Sequence, residues 1–119
     1  MKVLNREDIL AAMDLNREKV EVPEWGGSIF IQCMTGSERD DFENDTYIQK
    51  GSNIEYNRKN FRAKLLARTI VSEDGKRLFG DQEIDLLGKK SGKVLDKLLP
   101  IALRLNGIGK DAIEELTKN

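Results

Sequence analysis

Apolar residues follow two different rhythms along this chain. In "KVEVP" Val20 and Val22 alternate with charged positions, and in "SIFIQC" Ile29, Ile31 and Cys33 share one face with Phe30 opposite. Alternation of this kind lays one side of an extended strand on a core. The two runs, joined by "EWGG", predict a β-hairpin whose glycines supply the positive φ that tight turns require. Pro23 has no backbone donor and belongs at a strand end or edge. Cys33, last in its apolar series, is expected to be a small buried hydrophobe.

Elsewhere the spacing is helical. "NREDILAAM" starts at a capping Asn5, has Glu7 and Asp8 in its first turn and collects Ile9, Leu10 and Met13 on one face. "TGSERDDFEND" opens with Thr35 and Glu38 at capping-box spacing, but only Phe42, Tyr47 and Ile48 are clearly apolar in it. "QKGSNIEYN" reads as a loop. "NRKNFRAKLLARTIV" is strongly periodic, with Phe61, Leu65, Leu66, Thr69 and Ile70 on one face. After "SEDG" come an extended piece at Leu78 and Phe79 and a helix capped by Gly80 or Asp81. Ser91 is placed to cap the longest helix, "GKVLDKLLPIALRLNG", whose leucines supply much of the core, and Gly107 fits its C-terminal cap. Pro100 lies inside it and frees the carbonyl of Asp96, so the expectation is a kinked helix or two helices. "KDAIEELTKN" is a last short helix, with Asp111 as its cap. The expected architecture is α+β and mainly α-helical: an N-terminal β-hairpin followed by a compact bundle of about four helices. One domain spans 1–119, with an arm at 1–16, the hairpin at 17–34 and the helical region at 35–119.

Composition changes this picture in two ways. Charged residues make up 34% of the 119 positions, which points to amphipathic helices with well-solvated outer faces. The net charge of −1 conceals an asymmetry: residues 1–57 hold 6 Lys/Arg against 12 Asp/Glu, and residues 58–119 hold 14 against 9. Such a chain has the means to stack head to tail with copies of itself, although scattered solvated faces would give the same count. The lone cysteine forms no internal disulfide, and neither a secretory signal nor a membrane span is evident, so a reducing cytoplasm is expected.

Candidate chemistry is thin. The absence of histidine removes the commonest general base and metal ligand. "GKKSGKV" (88–94) falls one residue short of a P-loop and puts Val94 where Ser or Thr belongs. "GIGKDA" (107–112) follows a helix and not a strand, and "IVSEDGKRLFGD" (70–81) would start a calcium loop on Ile70. No catalytic residue, metal or cofactor is expected. "NRKNFRAKLLAR" holds Arg58, Lys59, Arg62, Lys64 and Arg68 without an acid. Such a stripe suits nucleic acid, but a sequence pI of 5.6 argues against a dedicated nucleic-acid binder. An exposed face paired with the acidic "ERDDFEND" helix is the competing expectation.

Taken together, "VPEWGGSIFIQCMTGSERDDFE" (22–43), "EDGKRLFGDQEIDLLGKKS" (73–91) and "ALRLNGIGKDAIEELTKN" (102–119) resemble the tail assembly chaperones of siphophages and related prophages. The resemblance implies a non-enzymatic, mostly helical assembly factor in the cytoplasm of the bacterial host, absent from the finished tail. Its implied partners are the tape measure protein, which it coats and keeps soluble, and tail tube subunits, which it recruits. Self-association into oligomers fits this role, and a membrane does not enter it. The resemblance also implies a short form, ending here at Asn119, and a frameshifted longer form. The alternative is a small phage regulatory protein that binds nucleic acid through the basic helix 58–68. Candidate partner-binding residues are Trp25, Gly26, Gly27, Phe30, Arg58 and Arg62. For Trp25 two readings stand side by side: packing back onto the hairpin or the helices, and presentation by the glycine turn as an interface anchor.

Overall fold

The computed structural model describes residues 1–109, so the expected last helix with its Asp111 cap lies outside the described residues. Strands β1 (Arg17–Val22) and β2 (Gly27–Gln32) pair antiparallel, with Val20 opposite Ile29 and Val22 opposite Gly27. Opposed residues share a face, so Val20, Val22, Ile29 and Ile31 line one side of the sheet, and Phe30 lies on the other with Lys19. The expected alternation is therefore present.

The turn differs from the expected glycine pair. Pro23–Trp25 forms a single 3-10 turn closed by Gly26, whose N–H donates to the Pro23 carbonyl at 3.0 Å. Gly26 is left-handed, at φ +78, whereas Gly27 has no positive φ and begins β2. One glycine serves the turn and the other belongs to the ladder. Cys33 is half-buried and not fully buried. Beyond the end of β2 the chain leaves the sheet, and the Cys33 N–H donates to the Asn16 carbonyl at 2.9 Å.

Helix α1 (Arg6–Ala11) has the expected Asn5 cap, completed into a reciprocal box by Asp8, yet it buries no residue. Helix α2 (Gly36–Thr46) carries the Thr35/Glu38 box, with Thr35 N–H to Glu38 Oε1 at 2.8 Å and Glu38 N–H to Thr35 Oγ1 at 3.1 Å. It buries only Phe42 and Thr46. The segment expected to be a loop is a second hairpin, β3 (Tyr47–Lys50) with β4 (Asn53–Tyr56). Its turn uses Gly51 at φ +63, and its ends are closed by a Tyr47–Tyr56 edge contact at 5.0 Å.

Helix α3 spans Phe61–Thr69, shorter at both ends than the stretch 57–71 expected to be helical. Asn60 precedes it at φ +55, a left-handed step that ends helical continuity on that side. At the other end β-branched Ile70 and Val71 form β5, which pairs with Phe30 and Ile31 of β2 and completes the sheet order β1-β2-β5. The expected apolar face is present: Phe61, Leu65, Leu66, Thr69 and Ile70 are all buried. No strand forms at Leu78 and Phe79, where an extended piece was expected: the chain makes a single antiparallel bridge between Arg77 and Val71, and the Leu78 N–H donates to the Ile70 carbonyl at 3.2 Å. A 3-10 turn (Asp81–Glu83) then leads into the short α4 (Ile84–Leu87).

Helix α5 (Gly92–Leu105) is capped by Ser91, whose Oγ accepts from the Val94 N–H at 3.4 Å. It is one helix, not two, and runs through Pro100. Pro100 and Asp96 both lie on the exposed side, where water can satisfy the freed carbonyl. Its C-terminus closes as a Schellman motif: Gly107 at φ +66 donates to the Arg104 carbonyl and Ile108 to that of Leu103. The buried stripe of α5, led by Leu98 and Ala102, packs with α3 over the inner face of the sheet.

Because a Cβ at Gly26 or Gly27 meets nothing within 4 Å, only backbone conformation separates the two positions. Gly26→Ala is expected to lower stability by about 1 kcal/mol, and Gly27→Ala to change it by less than about half of that. Thermal unfolding of both variants checks this.

Candidate functional site

Of the six residues singled out from the sequence, Trp25, Gly26 and Gly27 lie at the first hairpin turn, Phe30 on the outer face of β2, and Arg58 and Arg62 at the start of α3. Trp25 is half-buried and packs against the main core cluster. Its neighbour Glu24 reaches Lys97 of α5 at 3.2 Å. The Glu24 carboxyl lies below its ordinary value, chiefly through a backbone N–H hydrogen bond and then through the bond to Lys97. Gly26 and Gly27 are exposed beside it. Phe30, on the outer face of β2, is half-buried beneath Arg17, whose guanidinium carbon stands 4.8 Å from the ring centroid. A cation placed over a ring attracts its negative face, so Phe30 is already partly covered.

The second group is basic. Arg58 lies in the turn before α3 and Arg62 in its first helical turn, where it pairs with Asp96 of α5. Asp96 and Lys97 are about 100° apart around the helix. The Trp25 turn and the start of α3 therefore approach the same level of α5 from different sides. Arg58, Arg62 and Lys90 line a cavity of about 220 Å³ that also touches Gly92 at the start of α5.

The five cations of "NRKNFRAKLLAR" do not form one exposed stripe. Arg58 and Lys59 precede the helix, and Arg68 is buried, with its side chain 2% exposed. Arg68 donates to Asp45 Oδ2 at 2.6 Å and to the Lys64 carbonyl at 3.0 Å, with Asp81 at 3.9 Å. Its Nε lacks a protein partner. Lys64 donates to the Asp45 carbonyl at 3.1 Å. Burial pulls its ammonium below the ordinary lysine value, with the Asp45 charge opposing. Two cations thus meet the C-terminal end of α2, where the helix dipole favours positive charge. The expected pairing of the basic stretch with the acidic helix occurs at Asp45.

Two surfaces were not foreseen as sites. Leu4, Ile9, Leu10 and Met13 around α1 are exposed, as is Ile54 on the same face of the second hairpin as Tyr47 and Tyr56. Alternation in "NIEY" was the available signal for the hairpin, obscured by its shortness. Among the described residues no group of three or more His, Cys, Asp or Glu is placed to hold a metal ion, and no helix is long and apolar enough to cross a membrane.

This arrangement of small hairpins, an acidic α2 and a long core helix accompanies a family match: a family described as phage tail assembly chaperone matches residues 5–119. The chain belongs to the phage tail assembly chaperone family. Among solved structures, the tail assembly chaperone of bacteriophage HK97 aligns with a TM-score of 0.59 at 20% identity, over 83% of this chain and 90% of that one. At that identity the likeness speaks for the fold. No curated protein matches the chain.

Asp45 is the main counter-charge of a buried guanidinium, whereas Arg62 and Asp96 are both about half-exposed. Asp45→Asn is expected to cost about 2 kcal/mol, because it leaves Arg68 poorly compensated. Arg62→Ala should stay within about 1 kcal/mol, as exposed pairs do. Urea unfolding of the two variants measures both.

Proposed function

We propose that this chain binds the tape measure protein of a siphophage-type tail, keeps it soluble and helps recruit tail tube subunits. It does so without catalysis, in the cytoplasm of the bacterial host, as a single domain over 1–119 that also associates with its own copies. The observation that carries this reading is the family match over residues 5–119. A tape measure is a long amphipathic polymer that would aggregate alone. Shielding it calls for many weak contacts repeated along its length, which multivalency converts into stable coverage.

The surface supports such a role. Exposed apolar side chains on α1 and on the second hairpin offer contacts of this kind. Trp25, Gly26, Gly27 and Phe30 form one partner-binding group, and Arg58 and Arg62 the other. Trp25 serves both readings given for it: part of the ring packs on the core, and the rest is the anchor offered to the partner.

Co-expression with the tape measure protein tests the proposal. The expected result is a tape measure that moves into the soluble fraction and co-purifies with the chain. A tape measure that stays insoluble at equal expression overturns it. Trp25→Ala is expected to weaken co-purification about tenfold or more while lowering stability by a smaller factor. Equal losses would make Trp25 a core residue only.

A further inference from the structure

The chain contains a single asparagine followed by glycine, Asn106–Gly107, at the end of α5. Such a step is chemically labile in an open chain. Glycine has no Cβ to shield its backbone nitrogen, which can attack the asparagine side-chain carbonyl and close a succinimide ring.

In the fold both reacting groups are held. Asn106 is 8% exposed, so its side chain is out of reach of bulk water. Its oxygen accepts from the Met34 N–H at 2.8 Å and its amide donates to the Ala102 carbonyl at 2.7 Å, which fixes the carbon that would be attacked. The attacking nitrogen is engaged as well, because the Gly107 N–H donates to the Arg104 carbonyl at 3.1 Å. Ring closure needs that nitrogen to eclipse the Asn106 Cβ, which puts ψ near about 120° in magnitude. Asn106 has ψ of 4°, and the left-handed Gly107 cap locks it there. Yet the joint stands at a helix end with Gly107 exposed, where opening takes less than global unfolding.

We infer that Asn106 is a deamidation site which the C-terminal joint of α5 holds shut, and that its modification prevents the joint from closing again. This goes beyond the tape measure reading and does not rest on it. When the joint opens, the Gly107 N–H gives its proton to solvent base and the nitrogen bonds to Asn106 Cγ. The Cγ–Nδ2 bond breaks, and ammonia leaves with a proton from solvent. Water then opens the ring. Cleavage at Cγ gives aspartate, and cleavage at the backbone carbonyl gives isoaspartate. One water enters, one ammonia departs, and nothing is oxidised or reduced.

Neither product can replace the amide. Both lack the Nδ2 donor that meets the Ala102 carbonyl. An aspartate sets a second acceptor against that carbonyl, buries a charge and opposes the helix dipole. Arg39 is no free counter-charge, since it already serves the Asn106 carbonyl and Glu43 Oε1. Isoaspartate lengthens the main chain at the cap, so the Schellman hydrogen bonds lose their spacing. Each opening therefore offers the chain a one-way exit from the folded population.

The test holds the full chain in mildly alkaline buffer for days, once native and once in denaturing urea. Mass spectrometry of the tryptic peptide 105–110 follows the exchange of amide for acid. The expected result is conversion in urea and conversion at least about tenfold slower in the native chain. Arg39→Ala removes the clamp on the Asn106 carbonyl and should speed native conversion about threefold or more, whereas Gly26→Ala, in the remote first hairpin, should stay within about twofold of wild type. After removal of urea, unconverted chains should regain the native Trp25 fluorescence and converted chains should not. No conversion in urea overturns the inference, as does native conversion as fast as in urea. Arg39→Ala that is no faster than Gly26→Ala, or converted chains that refold like unconverted ones, overturns it too.

Discussion

The burial of α5 against α3 and the inner face of the β1–β2 sheet is the constraint from which the rest of the structure follows. Leu98 and Ala102 of α5 are fully buried together with Leu65 and Leu66 of α3 and Val22 and Ile31 of the sheet. Such a contact leaves little freedom in how the helix rotates, because a core packed at crystal-like density has few alternative arrangements. Asn106 fixes the end of the helix. Its side-chain oxygen accepts from the Met34 N–H at 2.8 Å, its amide donates to Ala102 at 2.7 Å, and its backbone carbonyl accepts from Arg39. A single buried residue, through its side-chain amide and its backbone carbonyl, thus holds the exit of β2, the entry of α2 and the last turn of α5 together. Pro100 is tolerated because it lies on the opposite, hydrated side.

Much of this was legible before the coordinates, and the parts that were not share a physical cause. Elements whose apolar residues bury themselves declare their period: Val20/Val22 with Ile29/Ile31 in the sheet, Phe61/Leu65/Leu66 in α3, the leucines of α5. Caps were legible for the same reason, since Asn5, Thr35, Ser91 and Gly107 answer donors and acceptors that every helix end exposes. The second hairpin was missed because its strands are only four residues long and exposed on both faces, so the alternation of Ile54 and Tyr56 is too short to stand out and no burial reinforces it. The true limits of α3 were missed because two non-periodic facts set them: a left-handed Asn60 at one end and pairing of Ile70–Val71 with β2 at the other. Local propensity does not register a strand partner forty residues away.

The candidate site was legible as a list of residues and not as an arrangement. Arg58, Lys59, Arg62, Lys64 and Arg68 look equivalent as letters. In the fold Arg68 is enclosed, Lys64 is half-enclosed, and only Arg58, Lys59 and Arg62 remain at the surface. The helical period carries Arg68 inward because it lies within one turn of Leu65 and Leu66. A buried guanidinium with one close carboxylate is a joint between α2 and α3, whereas the same group at the surface is a contact for something else. Net charge and run length cannot separate these roles; the acid that ends up opposite each cation does.

The short segments that carry the family resemblance turn out to be the joints of the fold. "LNG" contributes Asn106 and the Gly107 cap, and "GSERD" contributes Arg39, which meets Asn106. "EDGKRLF" contributes Arg77, which donates to the Ala67 carbonyl at 3.1 Å and pairs with Asp81. "EWGG" contributes the Trp25 turn and the Glu24–Lys97 tether to α5. These segments dock α5 and orient the sheet; they do not build a reactive centre. The apolar face of α1 and the second hairpin lie outside them. The joints of the fold and its exposed apolar side chains are therefore separate in this chain. The exposed residues of α1 and the second hairpin lie outside the packing that holds α5 in place.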